Sequence, residues 1–305
     1  MKFTIVTPSF NSERFIAETI QSVIGQFGDF YIEYIIMDGC STDRTPEIVR
    51  EFQERLNSDR FKVNCAGIEL KYFSMKDDGM YDAINKGFRM GTGEIFAWLN
   101  SDDIYLPGAL SIIQKCFEKY DSVQWLKGKS TYINEMSAIY QPCRHFVYAR
   151  TWLASGYYGP VAPFVEQESV FWRANLWPRV GDEIAQYKLA GDFKAWILMS
   201  RECRLYCLDA FVSCFRRVEG QKSQDIQAYW REVREEVPNS RWRIVLIKVM
   251  KRVARYLPSR VTRYILKSVL GYEGFSVILP DAGDVSNLNL YDDVIPKWNR
   301  TFNYL

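Results

Sequence analysis

The sequence predicts an α/β fold, with a mostly parallel central sheet flanked by helices. Three observations carry this. Short apolar runs alternate with segments whose apolar residues recur at helical spacing. Successive runs end in polar turns, several of which open a helix. At 305 residues, with 48% hydrophobic and 25% charged, the chain can bury a large core.

Taken in order, Phe3-Thr4-Ile5-Val6-Thr7 is an apolar strand followed by Pro8-Ser9-Phe10-Asn11-Ser12. Asn11 or Ser12 can cap a helix that carries Phe15, Ile16, Ile20, Val23 and Ile24 on one face. Tyr34 to Met37 is a second strand, ending in Asp38-Gly39-Cys40-Ser41-Thr42-Asp43. Thr45-Pro46-Glu47 then opens a helix with proline at its first position and an acid in its first turn. Leu70 to Phe73 is a third strand, Asp77-Asp78-Gly79 a turn, and Tyr81 to Arg89 a helix. After Gly91-Thr92-Gly93, Glu94 to Leu99 is a buried strand that turns off through Asn100-Ser101-Asp102-Asp103. Ligands of open α/β sheets sit outside the carboxyl ends of strands. Two adjacent acids there suit a hard cation, Mn²⁺ or Mg²⁺, completed by substrate phosphates. A polar turn with a helix cap is the plainer alternative. From about Gly128 to Val165 the pattern weakens, with a strand near Lys129 to Ile133 and an aromatic loop from Ser155 to Pro160.

Composition excludes other classes. The seven cysteines form no CxxC pair, and one histidine, His145, leaves neither a conventional zinc site nor a Ser-His-Asp set elsewhere in the chain. Free thiols in a reducing cytosol are expected. No apolar run reaches membrane-spanning length, and no leader peptide is expected. The formal charge of +2 divides into −4 over residues 1–239 and +6 from Ser240 onward.

Five segments appear in one order: TPSFN (7–11), DGCSTDRT (38–45), DDGMYDAINKG (77–87), GTGEIFAWLNSDD (91–103) and AGDFKAW (190–196). Together they resemble a family 2 glycosyltransferase of the GT-A, Rossmann-like fold, inverting and dependent on a nucleotide sugar. The resemblance covers about residues 1–220. It implies that Thr7, Pro8 and Asn11 line a base and ribose pocket and that Asp38 accepts a hydrogen bond from the base. For Asp38 an Asx-turn is the alternative; Asp43 reads as a cap. The resemblance favours Asp78 and Lys86 as donor contacts beside Gly79, against a plain Asp82–Lys86 surface pair. The Asn100–Asp102 stretch, with Ser101 beside the nucleotide, matches the family's DxD position with its first acid replaced by Asn100. Asp102 is therefore the principal expected metal ligand, with Asp103 second. Glu166 to Arg173 resembles the acceptor-side segment. Asp192 matches the general base, although alone it could equally be an N-cap. Arg216 and Arg217 suit a diphosphate or solvent equally.

The expected organisation is a catalytic domain over 1–222 and a basic helical extension over 223–305. Between Ser240 and Tyr272 there are nine Lys/Arg and no acid, with apolar residues at helical spacing. Residues 241–270 are thus expected to form amphipathic helices against an anionic membrane surface, or to pack on the catalytic domain. Residues 281–305 read as a docking tail. No recognition motif supports nucleic acid. Pro238 stands at the Gln position of the QxxRW pattern of processive synthases. The sequence thus points to a cytoplasmic, membrane-peripheral, non-processive transferase moving a sugar, with UDP-sugar the expected donor, to a lipid-linked or cell-surface glycan precursor. Its rivals are a sugar nucleotidyltransferase and an inactive nucleotide-sugar-binding protein.

Overall fold

A computed structural model describes residues 1–58, 62–143, 147–159, 164–219, 221, 225–237, 245, 248, 249, 259–268, 271–281 and 284–293. The N-terminal third runs β1 (Lys2–Ser9), α1 (Ile16–Ile24), β2 (Phe27–Asp38), α2 (Thr45–Asn57), β3 (Asn64–Ser74), α3 (Met80–Met90) and β4 (Ile95–Trp98). Then follow β5 (Ile104–Tyr105), α4 (Ala109–Lys119), β6 (Trp125–Ile133), β7 (Ile139–Pro142), α5 (Arg150–Ala154), β8 (Val170–Arg173) and α6 (Gly181–Ile184). The chain continues through α7 (Gly191–Glu202), β9 (Leu205–Arg216), α8 (Ile226–Glu236), α9 (Ser259–Ser268), β10 (Phe275–Asp281) and β11 (Asp284–Asp293).

These strands join one sheet in the order β3-β2-β1-β4-β8-β6-β9-β10-β11, with β7 on β6 and β5 on β9. β3, β2, β1 and β4 are mutually parallel. β8 inserts antiparallel between β4 and β6. Side chains alternate across the sheet, so both faces are dry. Phe3 and Ile5 of β1 pack with α1, α2 and α4, whereas Val6 packs with α3 and α7. The second face is filled by tryptophans: the Trp98 and Trp196 rings stack at 5.5 Å, with Trp125 5.7 Å beyond Trp196 and Trp172 5.4 Å from Trp98.

The extension differs from the expected helices. α9 is helical, but Phe275–Asp281 pairs parallel with β9, and β11 closes back on it. The apolar run from Phe275 to Leu279 is strand-like, and the free edge of β9 supplies hydrogen-bond partners that a helix would leave unused. Most of the basic segment 241–270 lies outside the described residues, as does His145. Among the described residues no helix is long and apolar enough to cross a membrane.

One buried acid ties the first strands together. Glu33 is fully buried and accepts hydrogen bonds from Thr4 Oγ1 at 2.6 Å, the Thr92 amide at 2.7 Å and Lys71 Nζ at 2.9 Å. Burial raises its pKa, but these donors outweigh burial and bring it from 4.5 to about 2. The depressed value stabilises the fold in full above about 4.5, and this contribution is lost as pH falls toward 2. Glu33→Gln should cost about 2–3 kcal/mol at pH 7 in urea unfolding and flatten the acid limb of the stability curve. An unchanged acid limb would rule out this role.

Candidate active site

The carboxyl ends of β1 and β4 open into a cleft of ≈ 1380 Å³ that also reaches the start of α7. This is larger than the few hundred to a thousand Å³ typical of small-ligand pockets, and leaves room for two substrates.

Its first wall is the turn after β1. Asn11, at φ 49°, takes a hydrogen bond from Thr42 N at 2.9 Å on Oδ1, while its amide donates to Ser41 Oγ at 2.8 Å. Pro8, Asn11 and Gly39 line the cleft. Thr7 and Asp38 do not. The Thr7 hydroxyl is buried against Tyr34 OH at 3.0 Å. The Asp38 carboxylate is 1% exposed and accepts from Ser41 N at 2.9 Å and Ser74 Oγ at 3.0 Å, an Asx-turn that shapes the loop. Asp43 likewise accepts from the Thr45 amide at 3.0 Å and holds the start of α2.

Gly79, at φ 128°, reaches the cleft in a conformation that favours glycine. Asp78 and Lys86 stand outside it. Lys86 Nζ pairs with Asp82 at 2.7 Å and donates to the Lys76 carbonyl, so the pair spans one helix turn on the surface. Asp78 uses its carbonyl to hold Lys188, which lines the cleft instead.

The turn after β4 forms the floor, and one buried arginine fixes it. Arg216 is fully buried; its Nε donates to the Asp102 carbonyl at 2.7 Å, Nη1 to the Asn134 carbonyl at 3.0 Å and Nη2 to Glu18 Oε2 at 2.7 Å. Its amide donates to Asp103 Oδ1 at 2.9 Å, and Asn100 Nδ2 donates to Asp103 Oδ2 at 3.2 Å. Asp103, expected beside Asp102 as a metal ligand, is therefore turned into the core with both oxygens committed. Its pKa is driven well up by burial and then by the charges of Asp102 and Glu168. Asn100, Ser101 and Asp102 face the cleft. Ser101 Oγ bonds Ser12 Oγ at 2.8 Å, and Gln221 Nε2 donates to Asp102 Oδ2 at 2.7 Å. Burial raises the Asp102 pKa, with the Gln221 bond opposing.

Among the described residues no three His, Cys, Asp or Glu side chains converge as a metal site. The fit to a divalent cation rests on Asn100 Oδ1, a buried oxygen without a hydrogen-bond partner, on a residue that lines the same cleft as Asp102. One carboxylate and one amide oxygen suit Mn²⁺ or Mg²⁺ that draws its other ligands from water and phosphate.

At the far wall, half-buried Asp192 is the second residue of α7; Ala190 stands at the N-cap and no side chain caps the helix, so Asp192 is not the N-cap its sequence context allowed. Its Oδ1 accepts from the Phe193 amide at 2.7 Å, Tyr229 OH at 3.2 Å and Tyr81 OH at 3.3 Å. Burial pushes its pKa up, and these donors oppose it only in part, leaving it at about 6. Gly191 makes the arrangement possible, because a Cβ there would stand 2.7 Å from the Tyr81 ring. Glu232 of α8 accepts from the Leu189 and Ala190 amides at 3.0 and 2.8 Å and fixes the entry to α7. Tyr81, Tyr229 and Glu232 were not singled out in the sequence. Tyr81 lies inside one of the five segments, but only the fold brings it to a residue 111 positions away.

Arg216 and Arg217 part company: Arg216 is internal, whereas Arg217 is exposed on the cleft with its guanidinium 3.6 Å over the Tyr132 ring. Trp172, inside the segment that resembles the acceptor side, is buried and does not reach the cleft; Tyr132, Phe164, Phe215 and Tyr229 line it.

Residues 4–169, more than half of the chain, match the family model described as glycosyl transferase family 2. The chain belongs to that family. The GalNAc(5)-diNAcBac-PP-undecaprenol beta-1,3-glucosyltransferase of Campylobacter jejuni is 32% identical over 126 residues, 40% of this chain and 37% of that protein. The poly(ribitol-phosphate) beta-N-acetylglucosaminyltransferase TarS of Staphylococcus aureus is 29% identical over 104 residues, 34% of this chain and 16% of that protein. The chain thus spans well under half the length of these curated relatives. The crystal structure of S. aureus TarS 1–349 with UDP-GlcNAc superposes with a TM-score of 0.52 at 20% identity, over 88% of this chain and 72% of that one. A mannosyltransferase of Pyrobaculum calidifontis in complex with GDP-Man and Mn²⁺ gives 0.50 at 13% identity, over 88% of this chain and 79% of that one. These likenesses establish the GT-A fold for this family 2 member.

Proposed function

We propose that this family 2 protein is an inverting, non-processive glycosyltransferase that moves a sugar from a nucleotide diphosphate sugar to a hydroxyl of a lipid-linked or cell-surface glycan precursor. One observation carries the reading: a single carboxylate, Asp192, is held by two tyrosine hydroxyls in the same cleft as Asp102, with its pKa near 6. That value suits a base that is ionised at neutral pH yet basic enough to take a proton. Pro8, Asn11 and Gly39 hold the nucleotide. Asp102 and the Asn100 amide oxygen hold a divalent cation, which when bound neutralises charge on the departing diphosphate. Asp192 takes the acceptor's hydroxyl proton as that oxygen attacks the sugar carbon from the face opposite the leaving group. UDP is the nucleotide of choice, supported by the TarS complex with UDP-GlcNAc, and Mn²⁺ is supported by the Pyrobaculum complex.

A lipid-linked acceptor is supported by the name of the Campylobacter relative. It accords with a cytoplasmic enzyme peripheral to an anionic membrane face through residues 241–270.

Incubating the full chain with a panel of UDP- and GDP-sugars, with Mn²⁺ or with a chelator, tests the reading by nucleotide release. One donor should be turned over, slowly by hydrolysis without acceptor, and the chelator should stop it. The rate should rise with pH through about 6 and fall roughly tenfold per unit below it, because the protonated base is inactive. Absence of release across the panel would exclude transferase activity, and a flat profile between pH 5 and 7 would exclude Asp192 as the base.

A further inference from the structure

The hairpin between β6 and β7 stands at the mouth of the cleft and displays apolar side chains to water. β6 runs antiparallel to β8 and β8 antiparallel to β4, so the carboxyl ends of β4 and β6 point the same way, and Tyr132 and Glu135 line the cleft. Beyond them Met136 is 87%, Ile139 60% and Tyr140 50% exposed. Met136 is the most exposed large hydrophobic side chain among the described residues.

The tip is held firmly in this shape. The Asn134 amide donates to the Ala138 carbonyl at 3.1 Å, and Asn134 Oδ1 accepts from the Met136 and Ala138 amides at 2.9 and 3.0 Å. Ser137, at φ 59°, is the left-handed residue that closes a three-residue hairpin loop. Buried Arg216 donates from Nη1 to the Asn134 carbonyl at 3.0 Å and to Ser137 Oγ at 2.9 Å, Arg14 pairs with Glu135, and the Ser137 hydroxyl donates to Glu18 of α1. The polar side of the loop is thus tied down while its apolar side is held out.

Area and charge say what covers it. Three side chains expose far less than the roughly 800 Å² that each partner of a stable protein complex buries, which disfavours a second copy of the chain. Beside them Arg217, exposed and without an ion pair among the described residues, lies 3.6 Å over the Tyr132 ring, and Tyr140 stacks on Tyr132 at 6.2 Å. A methionine and an isoleucine at the tip, tyrosines behind them and an arginine whose stem can bury while its head meets phosphate suit the boundary between acyl chains and headgroups.

We propose that this hairpin inserts Met136, Ile139 and Tyr140 into the surface of a phospholipid bilayer and so sets the mouth of the cleft against the membrane. The choice of a lipid surface rests on the lipid-linked acceptor proposed above. The contact is apolar, and therefore separate from any electrostatic attraction by residues 241–270.

Co-sedimentation of the full chain with phosphatidylcholine vesicles at high salt, where the Debye length falls to roughly 3 Å, reads the apolar contact alone. Wild type should bind. The triple variant Met136→Ser, Ile139→Ser, Tyr140→Ser should lose about tenfold or more of that affinity, whereas Met136→Leu should stay within twofold. None of the three side chains lines the cleft, so the triple variant should release nucleotide with soluble methyl glycosides within twofold of wild type. Vesicle affinity of a folded triple variant within twofold of wild type, or wild-type binding that high salt abolishes, would overturn the proposal. So would a concentration-dependent dimer that Met136→Glu dissolves, because the patch would then belong to a second copy. The vesicle assay contains no nucleotide sugar: a chain that binds vesicles through the hairpin yet turns over no donor brings down the transferase reading alone, and the reverse result brings down the hairpin alone.

Discussion

Asp192→Asn should yield a folded chain that binds nucleotide and has lost about 10²–10⁴ in transfer rate. Asparagine preserves the oxygen that accepts from the Phe193 amide, Tyr229 and Tyr81. Asp192 lies in the first turn of α7 and not at its N-cap, so losing the charge costs the helix about 0.3–1 kcal/mol. The substitution therefore separates the two roles that the sequence left open. If Asp192 served only the first turn of α7, the variant would lose a little stability and keep its turnover. If Asp192 is the base, turnover is lost as well. Circular dichroism, calorimetric nucleotide binding and initial rates decide it, and near wild-type turnover would remove the base from this position.

The largest effect on stability should come from Arg216→Met, at about 3–5 kcal/mol in urea unfolding. The change removes a buried cation and leaves the Asp102 and Asn134 carbonyls short of a donor and Glu18 with only the Ser137 hydroxyl. Arg216→Lys should rescue little, because one ammonium cannot reach the spread of acceptors that the guanidinium spans. Function should suffer as well. The carbonyl that Arg216 holds belongs to Asp102, so KM for the nucleotide sugar should rise in whatever fraction stays folded. A fall in stability below 1 kcal/mol would show that the turn is held by other means.

Much of the fold was legible because the signals are local. The apolar runs at Phe3–Thr7 and Glu94–Leu99 and the turns after them lie where the structure has β1 and β4, and the helix after Gly79 begins within a residue of its expected start. The cleft was legible only in part. The match to the family's DxD position already ranked Asp102 ahead of Asp103, but that Asp103 turns wholly into the core depends on a partner 113 residues away, which no local pattern reveals. The same holds for Asp78, whose neighbours Asp77 and Gly79 reach the cleft while its own backbone anchors Lys188. Tyr229 escaped notice for another reason: it lies on an ordinary charged amphipathic helix, beyond the last segment that carried the resemblance. The strands β10 and β11 follow a basic stretch whose spacing is helical, and their pairing depends on an edge formed by β9.

The strand order has a consequence for how the chain is made. β3, β2, β1 and β4 use only the first 98 residues, and each is parallel to a neighbour through a local crossover. During synthesis, these strands can collapse with the wall around Pro8 and Asn11 already shaped, while Glu18 waits for Arg216. The far wall must wait longer. β6 has no parallel partner until β9 appears, and Asp192 lacks Tyr229 until α8 has left the ribosome. On the proposed function, the wall assigned to the nucleotide would therefore form early in translation, before the wall that carries the proposed base.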